Sequence, residues 1–178
     1  LRERFGGGAD EEFCRSCHAA VGGNPLLLHE LANGLETDGV APTAENAGRV
    51  TELGPSAVSR AILLRLVRLA PDAAQLARVA AILGDGADPA LAAELAGCDR
   101  PGSARAALDL TRADILRTTE PLNFVHPIVR AAIHQDILPG DRSRLHRRAA
   151  DFLTERGAVP EQIAAHLMLA LPESDASV

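Results

Sequence analysis

The sequence predicts a mainly α protein carrying one small β-hairpin, and three observations carry that prediction. Apolar residues make up 47 % of the 178 positions and are nearly all Ala, Leu, Val and Ile, while aromatics are only 2 %. Ala and Leu head the helix-propensity ranking, so a core of this kind is built from interdigitating aliphatic helices. Apolar residues recur at helical spacing through most of the chain. Two short β-type runs, Ile115–Thr118 and Leu122–Val125, are parted only by Thr119, Glu120 and Pro121, which suits a tight hairpin.

The elements follow in order. Residues 5–9, Phe-Gly-Gly-Gly-Ala, read as a flexible lead-in. From Asp10 to Val21 the apolar positions Phe13, Cys17 and Val21 share one helical face, and Gly22-Gly23 ends the run. Asn24 then caps a second helix whose first turn holds Pro25, where a missing N–H costs nothing, and which runs to about Leu35. Residues 36–54 read as a loop with a short helix around Ala44–Leu53, followed by an amphipathic helix from Pro55 to Leu69.

Ala70-Pro71 marks a break, with Asp72 as the expected N-cap of the next helix. Helical patterns then cover Asp72–Leu83, Asp88–Ala96 and about Gly102–Arg112, and the hairpin follows. Three helices and a hairpin in this order form the winged-helix arrangement. His126–Ile137 reads as a helix broken by Pro139-Gly140. Asp141–Arg156 and Pro160–Ala170 make a further helical pair that has the form of a first repeat unit. From Pro172 to Val178 the tail is polar and expected to fray.

Charge and composition exclude several activities. The net charge is −6, and all 18 cationic residues are Arg. The acidic balance disfavours non-specific binding to nucleic acid or membrane. Without a single Lys the chain contains no Walker A loop and no Schiff-base lysine. There is no G-x-S-x-G, and His29-Glu30 fails as a zincin motif because Asn33 stands four residues after His29. Three cysteines make no disulfide framework. The first residues lack an apolar signal core, and no run approaches ~18 apolar residues, so a cytoplasmic location is expected.

One stretch raises a specific question. Cys14-Arg15-Ser16-Cys17-His18 has the C-x-x-C-H spacing of covalent c-type haem attachment. Phe13, Cys17 and Val21 already share the apolar face of one helix, which gives Cys17 a sufficient role as a small core residue. The only Met, Met168, lies in the terminal helix, and a haem or redox protein is the remote alternative. DNA binding is the nearer one, in the form of a stand-alone winged-helix repressor. Its candidate recognition helix offers Arg105 and Arg112 but also Asp109, and the hairpin tip carries Glu120 where a DNA-binding wing favours a cation.

Three segments together carry a family resemblance: HAAVGGNPLLLHELANGL from His18, GVAPTAENAGRVTELGPSAVSRAILLRLVRL from Gly39, and LNFVHPIVRAAIHQDILPGDRSRLHRRAADFLTERG from Leu122. They resemble the LuxR-family, MalT-like (LAL-type) ATP-binding transcriptional regulators of the STAND class, across roughly residues 13–170. The resemblance implies an internal fragment of such a regulator. A helical domain at 1–70 would follow a P-loop NTPase domain missing from this chain. A winged-helix domain would occupy 71–138, and a helical sensor region would begin at 139–178.

The same resemblance implies ATP/ADP as the cofactor, with Mg²⁺ held by the missing P-loop domain. It further implies self-association on activation, DNA contact only through a missing C-terminal helix-turn-helix, and no membrane. Gly23-Asn24-Pro25 resembles the GxP motif, whose proline packs on adenine. Val125-His126-Pro127 resembles the Met-His-Asp motif, whose histidine reaches the β-phosphate of ADP; Pro127 stands where that motif has Asp. The nucleotide-binding set implied is therefore Gly23, Asn24, Pro25 and His126, in a segment with no catalysis of its own.

Overall fold

The computed structural model describes residues 8–170. The start of the glycine-rich lead-in and the polar tail from Pro172 lie outside the described residues. Ten helices cover 72 % of what is described, and one two-stranded antiparallel sheet completes it, so the mainly helical class holds. Among the described residues no helix is long and apolar enough to cross a membrane. The chain divides into two compact units, residues 1–65 with 126–132 and residues 66–125 with 133–178.

The first unit contains α1 (Glu11–Ala20), α2 (Pro25–Thr37), a single 3-10 turn (Ala44–Asn46) and α3 (Ala47–Val67) as far as Arg65. Helix α1 packs against α2 and the 3-10 turn. Phe13, Cys17 and Val21 are fully buried, as are Leu31, Leu35 and Val50, so the predicted faces point inward. Asp10 ties the two ends of this unit's first segment together. Its N–H donates to the Pro42 carbonyl (2.9 Å), and its carboxylate accepts from the Ala44 N–H (2.6 Å). A Cβ on Gly34 would collide with the Ala57 methyl, so α2 and α3 meet at a point where only glycine fits. Arg65 on α3 donates to Glu30 on α2 at 3.2 Å.

One expectation fails in this unit. The helix over Ala44–Leu53 and the one from Pro55 are a single helix, α3. Proline lacks one N–H but itself favours helical φ, and its steric restriction falls on the Cβ of the residue before it. That residue is Gly54, which has none.

The second unit contains α4 (Pro71–Leu83), α5 (Pro89–Ala96), α6 (Arg100–Arg112), β1 (Leu116–Thr119) and β2 (Leu122–Phe124). It continues through the end of α7 (Pro127–Asp136) into α8 (Pro139–Glu155) and α9 (Pro160–Leu169). Helix α4 packs against α5, α6 and α8, and buries an Ala-rich surface around Leu76, Val79 and Ile82. The small residues let neighbouring helices approach closely.

Aspartates start the next two helices. Asp88 accepts from the Leu91 N–H (2.7 Å), and Asp99 from the Gly102 N–H (2.8 Å), each satisfying one orphan donor of a first turn. Strand β1 pairs with β2 through Leu116↔Phe124 and Thr119↔Leu122. Leu122 also exchanges hydrogen bonds with the chain before α5: its N–H donates to Ala87 (2.9 Å), and its carbonyl accepts from Gly86 (3.0 Å). The Phe124 N–H donates to the Asp85 carboxylate (2.9 Å), which fastens the hairpin to the α4–α5 connection.

Here too the sequence reading needs correction. Ala70, not Asp72, precedes α4; Pro71 is its first residue, and Asp72 lies within the positively polarised first turn. The expected break after α7 falls at Ile137-Leu138, and Pro139-Gly140 already belong to α8, because a proline at the first helical position is preorganised for helix.

Candidate functional site

The site is built where α1 ends. Gly22 and Gly23 take left-handed backbone angles, φ +57° and +74°, which side-chain-bearing residues adopt only with strain. That turn lets the Gly22 N–H reach the Ala19 carbonyl (3.3 Å), the Gly23 N–H reach His18 (3.1 Å) and the Asn24 N–H reach Val21 (3.2 Å). These bonds close the helix by satisfying its last carbonyls. They also use the three successive amides, so the turn has none of them left to cradle an anion.

Asn24 caps α2 as expected, its side-chain oxygen accepting from the Leu27 N–H at 3.2 Å. Pro25 is the first residue of α2 and is exposed. A rigid apolar ring therefore stands at the positive end of a helix.

His126 is brought to the same turn. Its Nδ1 accepts from the Ile128 N–H at 3.2 Å, so a neutral ring carries its proton on Nε2. That Nε2 lies 2.7 Å from where a Cβ on Gly22 would stand, and Cδ2 lies at 3.3 Å. The imidazole occupies the space that the missing side chain leaves. The fold thus brings His126 to the turn just before Gly23-Asn24-Pro25, at Gly22, which sequence reading had taken only as the end of a helix.

No family model, curated protein or solved structure matches this chain.

A second imidazole was also missed. His18, exposed in the last turn of α1, places its Nε2 at 2.8 Å from the Cβ position of Gly23. The available signal was its position as the last residue of C-x-x-C-H, but that motif draws attention to its cysteines. Those cysteines are free. Cys17 is fully buried, and burial, reinforced by neighbouring Cys14, pushes its thiol up to about 11. A thiol held protonated in this way is inert as nucleophile and ligand at neutral pH. Among the described residues no group of three or more His, Cys, Asp or Glu is arranged to hold a metal ion.

The arrangement sets a ring nitrogen against Gly22, three residues before an exposed apolar ring at a helix start.

Proposed function

We propose that this chain is the central regulatory segment of a STAND-type, LuxR-family transcription regulator, acting as a lid over ADP or ATP. The observation that carries the proposal is the seating of the His126 imidazole on Gly22, in the turn that leads into Asn24 and Pro25. Pro25 would pack on the adenine, and the His126 Nε2–H would donate to the β-phosphate. The triphosphate chain and Mg²⁺ would rest on a P-loop domain elsewhere in the same protein. Pro127, in place of an acidic residue, leaves His126 as the only member of its motif able to contact phosphate.

In this proposal α4, α5, α6 and the hairpin form a winged helix used as a relay. Helices α8 and α9 begin a helical sensor region. ADP bridged by Pro25 and His126 holds the resting state; exchange for ATP releases the winged helix and permits self-association. A nucleotide shifts such an equilibrium only by its differential affinity for the two states, and contacts at the β-phosphate end supply that difference. In this reading the chain supplies the parts of a switch, and any hydrolysis belongs to the P-loop domain.

DNA binding by α6 has less support. Arg112 donates to Asp109 at 3.1 Å, and the hairpin turn presents Glu120. Duplex binding with a steep salt dependence would favour it.

The test is the reading frame that encodes the chain. A Walker A sequence within about 250 residues upstream, the span of one NTPase domain, is the expected finding. A frame that opens immediately before residue 1 without such a loop overturns the proposal.

A further inference from the structure

Three histidines gather in the second unit, away from the glycine turn and unused by the nucleotide proposal. His146 on α8 is buried, with only 2 % of its surface accessible. Its Nδ1 lies 2.9 Å from the Nδ1 of His166 on α9, a hydrogen bond in which one ring donates and the other accepts. His134, near the end of α7, meets the His146 ring edge-on at 5.9 Å.

The helix that His166 belongs to packs on α8 without burying any residue completely. Leu167, Met168 and Leu169 are 51 %, 86 % and 59 % exposed.

We propose that the His146–His166 pair is a pH-operated clasp that holds α9 against α8 and opens when both rings are protonated. The geometry of the contact is the reason. A 2.9 Å contact between two Nδ1 atoms accommodates one proton, so neutral–neutral and neutral–cation pairs are both bonded. A second cation sets N–H against N–H and like charge against like charge.

Several of the surrounding charges are engaged with one another. Arg142, one turn before His146, donates to the His134 carbonyl at 3.4 Å and brings a permanent cation to the same side. From α4, Arg78 pairs with Asp136 at 3.8 Å; from α5, Glu94 pairs with Arg156 at 2.7 Å. Asp141 on α8 is taken by Arg144. Arg147, Arg148, Asp151 and Glu155 complete the charges of α8, Asp72 those of α4, and Glu161 is the carboxylate of α9.

Burial lowers the pKa of His166 from its usual 6.5, so the folded state holds fewer protons than the unfolded chain. The docking energy is therefore complete above about 6.5 and is lost as pH falls from there through the lower folded value.

Hydrogen-exchange protection factors of the α9 amides, measured on the whole chain from pH 8 to pH 5, test the clasp. α4 serves as the internal reference, and the comparison variants are H166Q and H166F. In the native chain α9 protection should fall below about pH 6.5 by up to ~10-fold per pH unit, one proton's worth, while α4 stays constant. In whichever variant folds, that slope should vanish. Flat α9 protection in the native chain, an equal fall in α4, or an unchanged slope in a folded variant overturns the proposal.

Discussion

The Nε2 atom of His126 lies 2.7 Å from the point where a side-chain carbon on Gly22 would stand, and Gly22 itself holds φ at +57°. Two separate costs therefore meet in the substitution G22A, left-handed backbone strain and collision with the ring. It should destabilise the protein by about 1–3 kcal/mol. Adding H126A removes the collision but not the strain. The pair should then be non-additive by at least about 0.5 kcal/mol, read from urea unfolding of the four proteins of the cycle. Strict additivity would mean that the ring does not sit on Gly22.

Cys17 should be the last cysteine to react. Its thiol is fully buried and pushed up to about 11, whereas Cys14 and Cys98 are only half-buried. Partial alkylation at pH 7.5, mapped by mass spectrometry, should label Cys14 well before Cys17, with Cys17 modified only on unfolding. C17S, which buries a hydroxyl in an apolar site, should cost about 1–3 kcal/mol. Rapid labelling of native Cys17 would restore the reactive reading of C-x-x-C-H.

Asp85 fastens the hairpin across a long sequence separation by accepting from the Phe124 N–H at 2.9 Å. D85A leaves that N–H without its acceptor and should cost about 1–3 kcal/mol in unfolding free energy. D85N keeps a carbonyl oxygen in place and should recover much of the loss. Equal losses in the two variants would assign the effect to charge instead.

The local grammar of the chain was readable. Asn24 caps α2, Pro25 opens it, and Phe13, Cys17 and Val21 line one face, because capping and periodicity act over one or two turns. What resisted reading was proline context and distance. Pro55 lies inside α3 with a glycine before it, and Pro139 is the first residue of α8 after the break that ends α7. The meetings of His126 with Gly22, His18 with Gly23 and His146 with His166 depend on how separate helices pack. Periodicity says which face is buried, not which residue of another helix it meets. Gly23, Asn24, Pro25 and His126 came to attention through a resemblance; that His126 meets Gly22, just before the other three, came only from the fold.

The most direct test of the nucleotide proposal is an ADP titration followed by NMR of the imidazole and glycine signals. The His126 ring and the Gly22 and Gly23 amides should shift saturably with a Kd near ~1 mM, about −4 kcal/mol, as befits a lid without its P-loop partner. His29 should stay unmoved, and H126Q should abolish the response of the glycines. If His126, Gly22 and Gly23 do not move as ADP is raised to ~10 mM, where a millimolar site would be nearly full, the nucleotide contact at this turn is contradicted.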